Sequence, residues 1–158
     1  MTRGSSRNWG SEMTATIASQ GGPTEKPAES PLRVLLVEDD SHIGRLVESG
    51  FVAAGHQCDW AKTGPRGLEA ALSQRYDVVI LDMMLPEMSG LEVLARLRAQ
   101  PEYRETPILA LTASAMAGDR DRALEAGFSE YISKPVNIVR LRREVARFLA
   151  PRTREAGS

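Results

Sequence analysis

The chain has a single cysteine, Cys58, among its 158 residues. No disulfide can form within it, and such a chain suits a reducing compartment such as the cytoplasm. It also lacks excess charge: 20 Lys and Arg stand against 21 Asp and Glu, a formal net charge of -1. So even a balance gives no global attraction for nucleic acid or for a membrane surface, and neither is an expected partner. No apolar run is long enough to span a bilayer. Arg3 and Arg7 are followed by no apolar core, so the amino terminus does not read as a signal peptide. The length favours a single domain with a core of ordinary size.

What the chain does contain is Val78-Val79-Ile80-Leu81-Asp82-Met83-Met84-Leu85-Pro86. Four apolar residues run straight into an acid. This is the pattern of a parallel strand buried on both faces. Asp82 stands at its carboxyl end, where open α/β sheets build their sites. Pro86 and Gly90 end the extended run, and a helix pattern begins at Ser89.

The other segments repeat this plan. Residues 1–31 are rich in Gly, Ser, Thr, Pro and Glu, show no periodicity and read as a disordered tail. Strands are expected at 32–37, 56–60, 77–81, 107–111 and 128–132. A helix follows each. The first is capped by Ser41, with Ile43, Leu46, Val47 and Phe51 inward. The second buries Leu68, Ala71 and Leu72, and the third Leu91, Leu94 and Leu97. The fourth has Ala123 and Leu124 on its apolar face, and the fifth Ile138, Leu141, Val145 and Phe148. The last residues, 151–158, form a short polar tail. Five strand–helix units predict a doubly wound, five-stranded parallel sheet with helices on both faces, filling residues 32–150. Arg140, Arg143 and Arg147 recur at helical spacing on the last helix and read as a solvated face.

In such a sheet the loops after the strands open at one edge. Asp39, Asp40, Asp82, Thr112 and Lys134 therefore converge from distant parts of the chain. Clustered carboxylates call for a cation, and Mg²⁺ takes hard oxygen ligands. Asp82 can serve as a metal ligand only, or as a nucleophile toward a phosphoryl group. Thr112 and Lys134 favour the second, because a phosphoryl group has outer oxygens to neutralise. His42 adjoins the acidic run, but the acids already suit a hard ion, and neither His42 nor His56 is given a role.

Taken together, these elements resemble the receiver domain of bacterial two-component response regulators, with a flavodoxin-like fold. Glu38-Asp39-Asp40 resembles the family's acidic element. Asp82 with its loop resembles the phosphoacceptor, Thr112-Ala113 the switch hydroxyl and its small neighbour, Tyr131 the switch aromatic, and Lys134-Pro135 the family lysine and a structural cis proline. The resemblance implies transfer of a phosphoryl group to Asp82 from a sensor histidine kinase or a histidine phosphotransfer protein. It implies Mg²⁺ held by Asp39, Asp82 and the backbone carbonyl of Met84, with Asp40 nearby. It further implies output through the fourth helix, fifth strand and fifth helix, toward a target or a second copy. Autophosphorylation is the implied activity, with no separate substrate; Met84 and Ser114, two residues past Asp82 and Thr112, are poor at orienting an attacking water, so slow self-dephosphorylation is expected. Only a few polar residues follow Leu149, and the expectation is a stand-alone receiver. Two other readings stay open. One is a haloacid-dehalogenase-like phosphatase, which would want an acid where Met84 stands. The other is a receiver-like docking domain that takes no phosphate.

Overall fold

Each of the five expected segments becomes a strand; β1, β3 and β4 are short, apolar and rich in Val, Ile and Leu, which suits strands buried on both faces. The computed structural model describes residues 31–113 and 116–149. The expected tails, and Ser114, lie outside these residues, apart from Pro31. In chain order the elements are β1 Arg33–Val37, α1 Ser41–Ala53, β2 Gln57–Ala61, α2 Gly64–Ser73, β3 Val78–Asp82, α3 Gly90–Arg98, a 3₁₀ turn Pro101–Tyr103, β4 Ile108–Thr112, α4 Asp119–Ala126, β5 Glu130–Ser133 and α5 Ile138–Phe148. All strand pairs are parallel, in the order β2-β1-β3-β4-β5. The doubly wound sheet is as the sequence predicts.

Alternation along the central strands divides the core into two layers. Leu35, Val37, Val79, Leu81, Ile108 and Ala110 face Ala71 of α2, Val93, Leu94 and Leu97 of α3, and Ala123 of α4. Val34, Leu36, Val78, Ile80, Leu109 and Leu111 face Val47 and Phe51 of α1 and Leu141 and Val145 of α5. Both faces are therefore covered, and the polar chemistry is confined to the strand ends.

Three helices are rotated from the expected stripe. Leu46, Leu72 and Leu91 are 41%, 60% and 46% exposed. Gly44, Gly67 and Val93 take inward positions instead. A hydropathy pattern does not count glycine as core, yet a glycine lets a helix approach its neighbour closely. At Gly44 an added Cβ would lie 1.9 Å from the Trp60 ring.

The cap of α1 is also corrected. Asp40, not Ser41, is the N-cap: its Oδ1 accepts the amides of His42 at 2.8 Å and Ile43 at 3.1 Å. Those bonds hold its carboxyl below the usual range, the Ile43 amide contributing most. Among the long side chains, Arg98 ties the far end of the molecule together. Its guanidinium donates to the carbonyls of Gly127, Tyr103 and Thr106, at 2.8, 2.7 and 2.7 Å. Tyr103, buried beneath it, bonds the Ala71 carbonyl at 2.9 Å.

Candidate functional site

The site forms where β1, β3, β4 and β5 end at one edge of the sheet. Strand pairing aligns Leu81 with Val37 and Asp82 with Leu111, and sets Thr112 opposite Ser133. The residues just beyond these pairs are thereby gathered at one edge: Glu38 and Asp39 after β1, Asp82 ending β3, Thr112 ending β4, Lys134 after β5.

Asp82 is 2% exposed. Its Oδ1 accepts the Met84 amide at 3.1 Å, and its Oδ2 lies 3.4 Å from Lys134 Nζ. The loop beyond is folded back tightly. Glu87 adopts a left-handed φ of 69°, and the Gly90 amide donates to the Met83 carbonyl at 3.1 Å. Ser89 caps α3 by accepting the Glu92 amide at 3.2 Å. Gly90 is required by contact. A Cβ there would sit 2.4 Å from the Asp82 carbonyl oxygen.

Glu38 is fully buried, and its side chain turns toward Asp82 and Lys134. Its Oε2 accepts the Asp40 amide at 3.0 Å. Its Oε1 lies 3.2 Å from Lys134 Nζ yet receives no aligned hydrogen bond. Burial first, and repulsion from Asp82 next, push this carboxyl up to about 7 against the opposing pull of the Asp40 amide and Lys134. Burial alone would lower Lys134, but the charges of Asp82 and Glu38 outweigh it and raise the ammonium above its ordinary value. One lysine thus faces two buried acids, with Asp39 exposed beside them.

Carboxylate oxygens of Glu38, Asp39 and Asp82 lie within 4.8 Å of one another. Three such groups around an unsatisfied buried oxygen, with one cation nearby, are a donor set for a hard divalent ion. The set fits Mg²⁺ on its own chemistry. It also alters the expected ligands. Asp40 points into the α1 cap and is not among the three; Glu38 takes its place. The signal was present in the sequence: a helix starting at Ser41 wants an Asp as N-cap, which leaves the two earlier acids for the site.

Thr112 is 4% exposed, and Tyr131 is half-buried. Both line an open, largely apolar groove of about 980 Å³, with Met83, Met84, Leu91 and Ala123. Met84 is 75% exposed. No acid stands at its position, which removes the second carboxylate that a haloacid-dehalogenase-like route would use. The peptide between Lys134 and Pro135 is cis. Among the described residues no helix is long and apolar enough to cross a membrane.

Glu130 of β5 is 8% exposed and pairs with Arg120 of α4 at 2.9 Å and Arg147 of α5 at 3.1 Å. The stripe read as solvated therefore contributes one arginine to an ion-pair network joining α4, β5 and α5.

A sequence profile for the response regulator receiver domain matches residues 34–146. The transcriptional activator protein IrlR of Burkholderia pseudomallei is 42% identical over 110 residues, covering 70% of this chain and 47% of that protein. The polar-differentiation response regulator DivK of Brucella anthropi is 35% identical over 119 residues, covering 75% of this chain and 97% of that protein. The chain spans about half the length of the transcriptional regulators it matches. Among solved structures, the receiver domain of a sensor histidine kinase from Pseudomonas aeruginosa is similar with a TM-score of 0.71 and 33% identity, covering 77% of this chain and 100% of that one. That domain holds a magnesium ion in its active-site cleft.

Proposed function

The chain belongs to the response regulator receiver family, and from that premise we propose that residues 32–150 take a phosphoryl group onto Asp82. The donor is a histidine kinase or a histidine phosphotransfer protein. The observation that carries this is the buried Asp82 carboxylate between Lys134 and two further acids, at the open ends of the strands.

An Asp82 oxygen attacks phosphorus in line with the phosphohistidine P–N bond. The P–O bond forms as the P–N bond breaks, and the electron pair leaves with the imidazole, which a proton then neutralises. Asp39 and Asp82, with Glu38 beside them and the Met84 carbonyl, would hold Mg²⁺, which when bound neutralises charge on the phosphoryl oxygens. Lys134 already faces Asp82 at 3.4 Å and moves little to meet a phosphoryl oxygen. Thr112 donates its hydroxyl to another. Its displacement opens space toward the groove that it shares with Tyr131, and Tyr131 turns inward. The face of α4, β5 and α5, cross-linked through Glu130, carries the change to a target or a second copy. The run Gly118-Asp119-Arg120-Asp121-Arg122, ahead of Ala126-Gly127, also resembles receivers of hybrid kinases and cell-cycle relays and tilts the reading toward a relay role.

Incubation with acetyl phosphate and Mg²⁺ tests the proposal. The wild type should gain one phosphoryl group by intact mass, Asp82→Ala none, and Asp39→Ala little even at high Mg²⁺. Labelling of Asp82→Ala equal to wild type would overturn Asp82 as the acceptor, and a wild type that takes no label would leave the docking-domain reading.

A further inference from the structure

Trp60 lies on β2, outside every element that supplies the acids. Yet its indole Nε1–H donates to the backbone carbonyl of Glu38 at 2.8 Å. That carbonyl belongs to the peptide joining Glu38 to Asp39, the two neighbouring acids of the carboxylate cluster. A peptide is planar, so fixing its C=O also fixes its N–H and the Cα atoms on both sides. The ring itself has little freedom. It packs against the first turn of α1, where a side chain at Gly44 would meet Cζ2 at 1.9 Å and Cε2 at 2.1 Å. Its other neighbours are the core beneath α1 and Lys62, whose Nζ stands 5.0 Å from the ring centroid. Strand pairing completes the frame. Trp60 is opposite Leu36, and the Glu38 amide donates to the Ala61 carbonyl at 3.0 Å. The turn between β1 and α1 is therefore held from β2 at both the amide and the carbonyl of Glu38.

We propose that Trp60 is a positioning residue for cation binding: its indole N–H sets the peptide plane from which Glu38 and Asp39 present their carboxylates. This rests on the receiver reading, in that it assumes these acids hold Mg²⁺. Trp60 itself touches neither the ion nor the phosphoryl group. Its effect is on how well the acids are preorganised, so it acts on affinity more than on the rate at saturation. The same hydrogen bond makes Trp60 a reporter. A cation drawn to Glu38 and Asp39 polarises the shared peptide and shifts the indole emission.

The test uses the full chain with Trp9→Phe as reference, so that Trp60 is its only tryptophan. Trp60 is then replaced by Phe, and separately by benzothienylalanine, which keeps the bicyclic shape and puts sulfur where the N–H was. Mg²⁺ affinity is measured by calorimetry, and labelling by acetyl phosphate is followed against Mg²⁺ concentration. Loss of one such hydrogen bond should weaken Mg²⁺ about three- to tenfold in both variants. The labelling rate at saturating Mg²⁺ should stay within about twofold. Reference-chain emission should titrate with the calorimetric midpoint. Unchanged Mg²⁺ affinity in the benzothienyl chain would overturn the positioning role while leaving the receiver reading intact. A reference chain that binds no Mg²⁺ overturns both.

Discussion

Glu38→Gln should make the metal-free protein more stable while weakening its site. The wild-type carboxyl is held at about 7 instead of its ordinary 4.5. The sign follows from linkage. A raised folded value means that the contribution is fully present below pH 4.5 and is lost as pH rises through about 7. Above that range the ionised, buried carboxylate costs at most about 3.5 kcal/mol, at about 1.4 kcal/mol per pH unit. Glutamine has nearly the same volume and no charge. Its amide fits the Asp40 amide and Lys134 less well than the acid does, so the net gain at pH 8 is on the order of 1–2 kcal/mol. That corresponds to a rise in Tm of roughly 4–8 °C. The assay is thermal and urea unfolding in the presence of chelator, at pH 5 and pH 8. The advantage of the variant should be small at pH 5 and open toward pH 8. Mg²⁺ affinity, measured on the same samples, should fall at least about tenfold with the loss of one charged ligand. A variant less stable than wild type at pH 8, or one whose difference does not change with pH, would refute the reasoning about Glu38.

Gly90→Ala should lower stability by about 1–3 kcal/mol or more, because its Cβ would press on the Asp82 carbonyl at 2.4 Å; labelling of Asp82 should fall with it, and unchanged Tm and labelling would contradict this. The phosphoryl group should be long-lived, because Met84, two residues past Asp82, is a poor orienter of water; Met84→Asn should speed decay after the donor is removed, and equal or slower decay would count against it. His56 Nδ1 accepts the Leu32 amide at 3.1 Å, and burial, helped by Arg142, lowers the imidazole below its ordinary 6.5. Its contribution is therefore fully present above pH 6.5 and is lost as pH falls through the lowered value. Tm should drop less steeply below pH 6.5 in His56→Gln than in wild type, and equal slopes would exclude His56 as the cause.

The fold was legible because β1, β3 and β4 are compact apolar runs that lead into polar residues, and because β–α alternation leaves few topologies open. Strand ends carry the chemistry, so Asp82, Thr112 and Lys134 could be placed together before any coordinates. Residue type alone does not separate Glu38 from Asp40, since three consecutive acids look alike; only the cap position ahead of Ser41 does. The difference lies in which of them the α1 cap consumes. Leu46 and Leu72 were misplaced because Gly44 and Gly67 face inward, and hydropathy does not reward glycine; in α3 the inward place beside Leu94 goes to Val93, not Leu91. Trp60 and Arg98 were invisible for another reason. Each acts on backbone carbonyls of other elements, and nothing in the local sequence of either marks such a partner.

The central claim is that Asp82 is the nucleophile. An acyl phosphate is reduced by borohydride to an alcohol, which turns a phosphorylated aspartate into homoserine. After loading with a phosphorylated histidine phosphotransfer protein and Mg²⁺, reduction and peptide mass mapping should find homoserine at position 82 and at no other acid. Homoserine at Asp39 or Asp40, or an unmodified Asp82 in a chain that carries phosphate on Ser or Thr, would contradict the account.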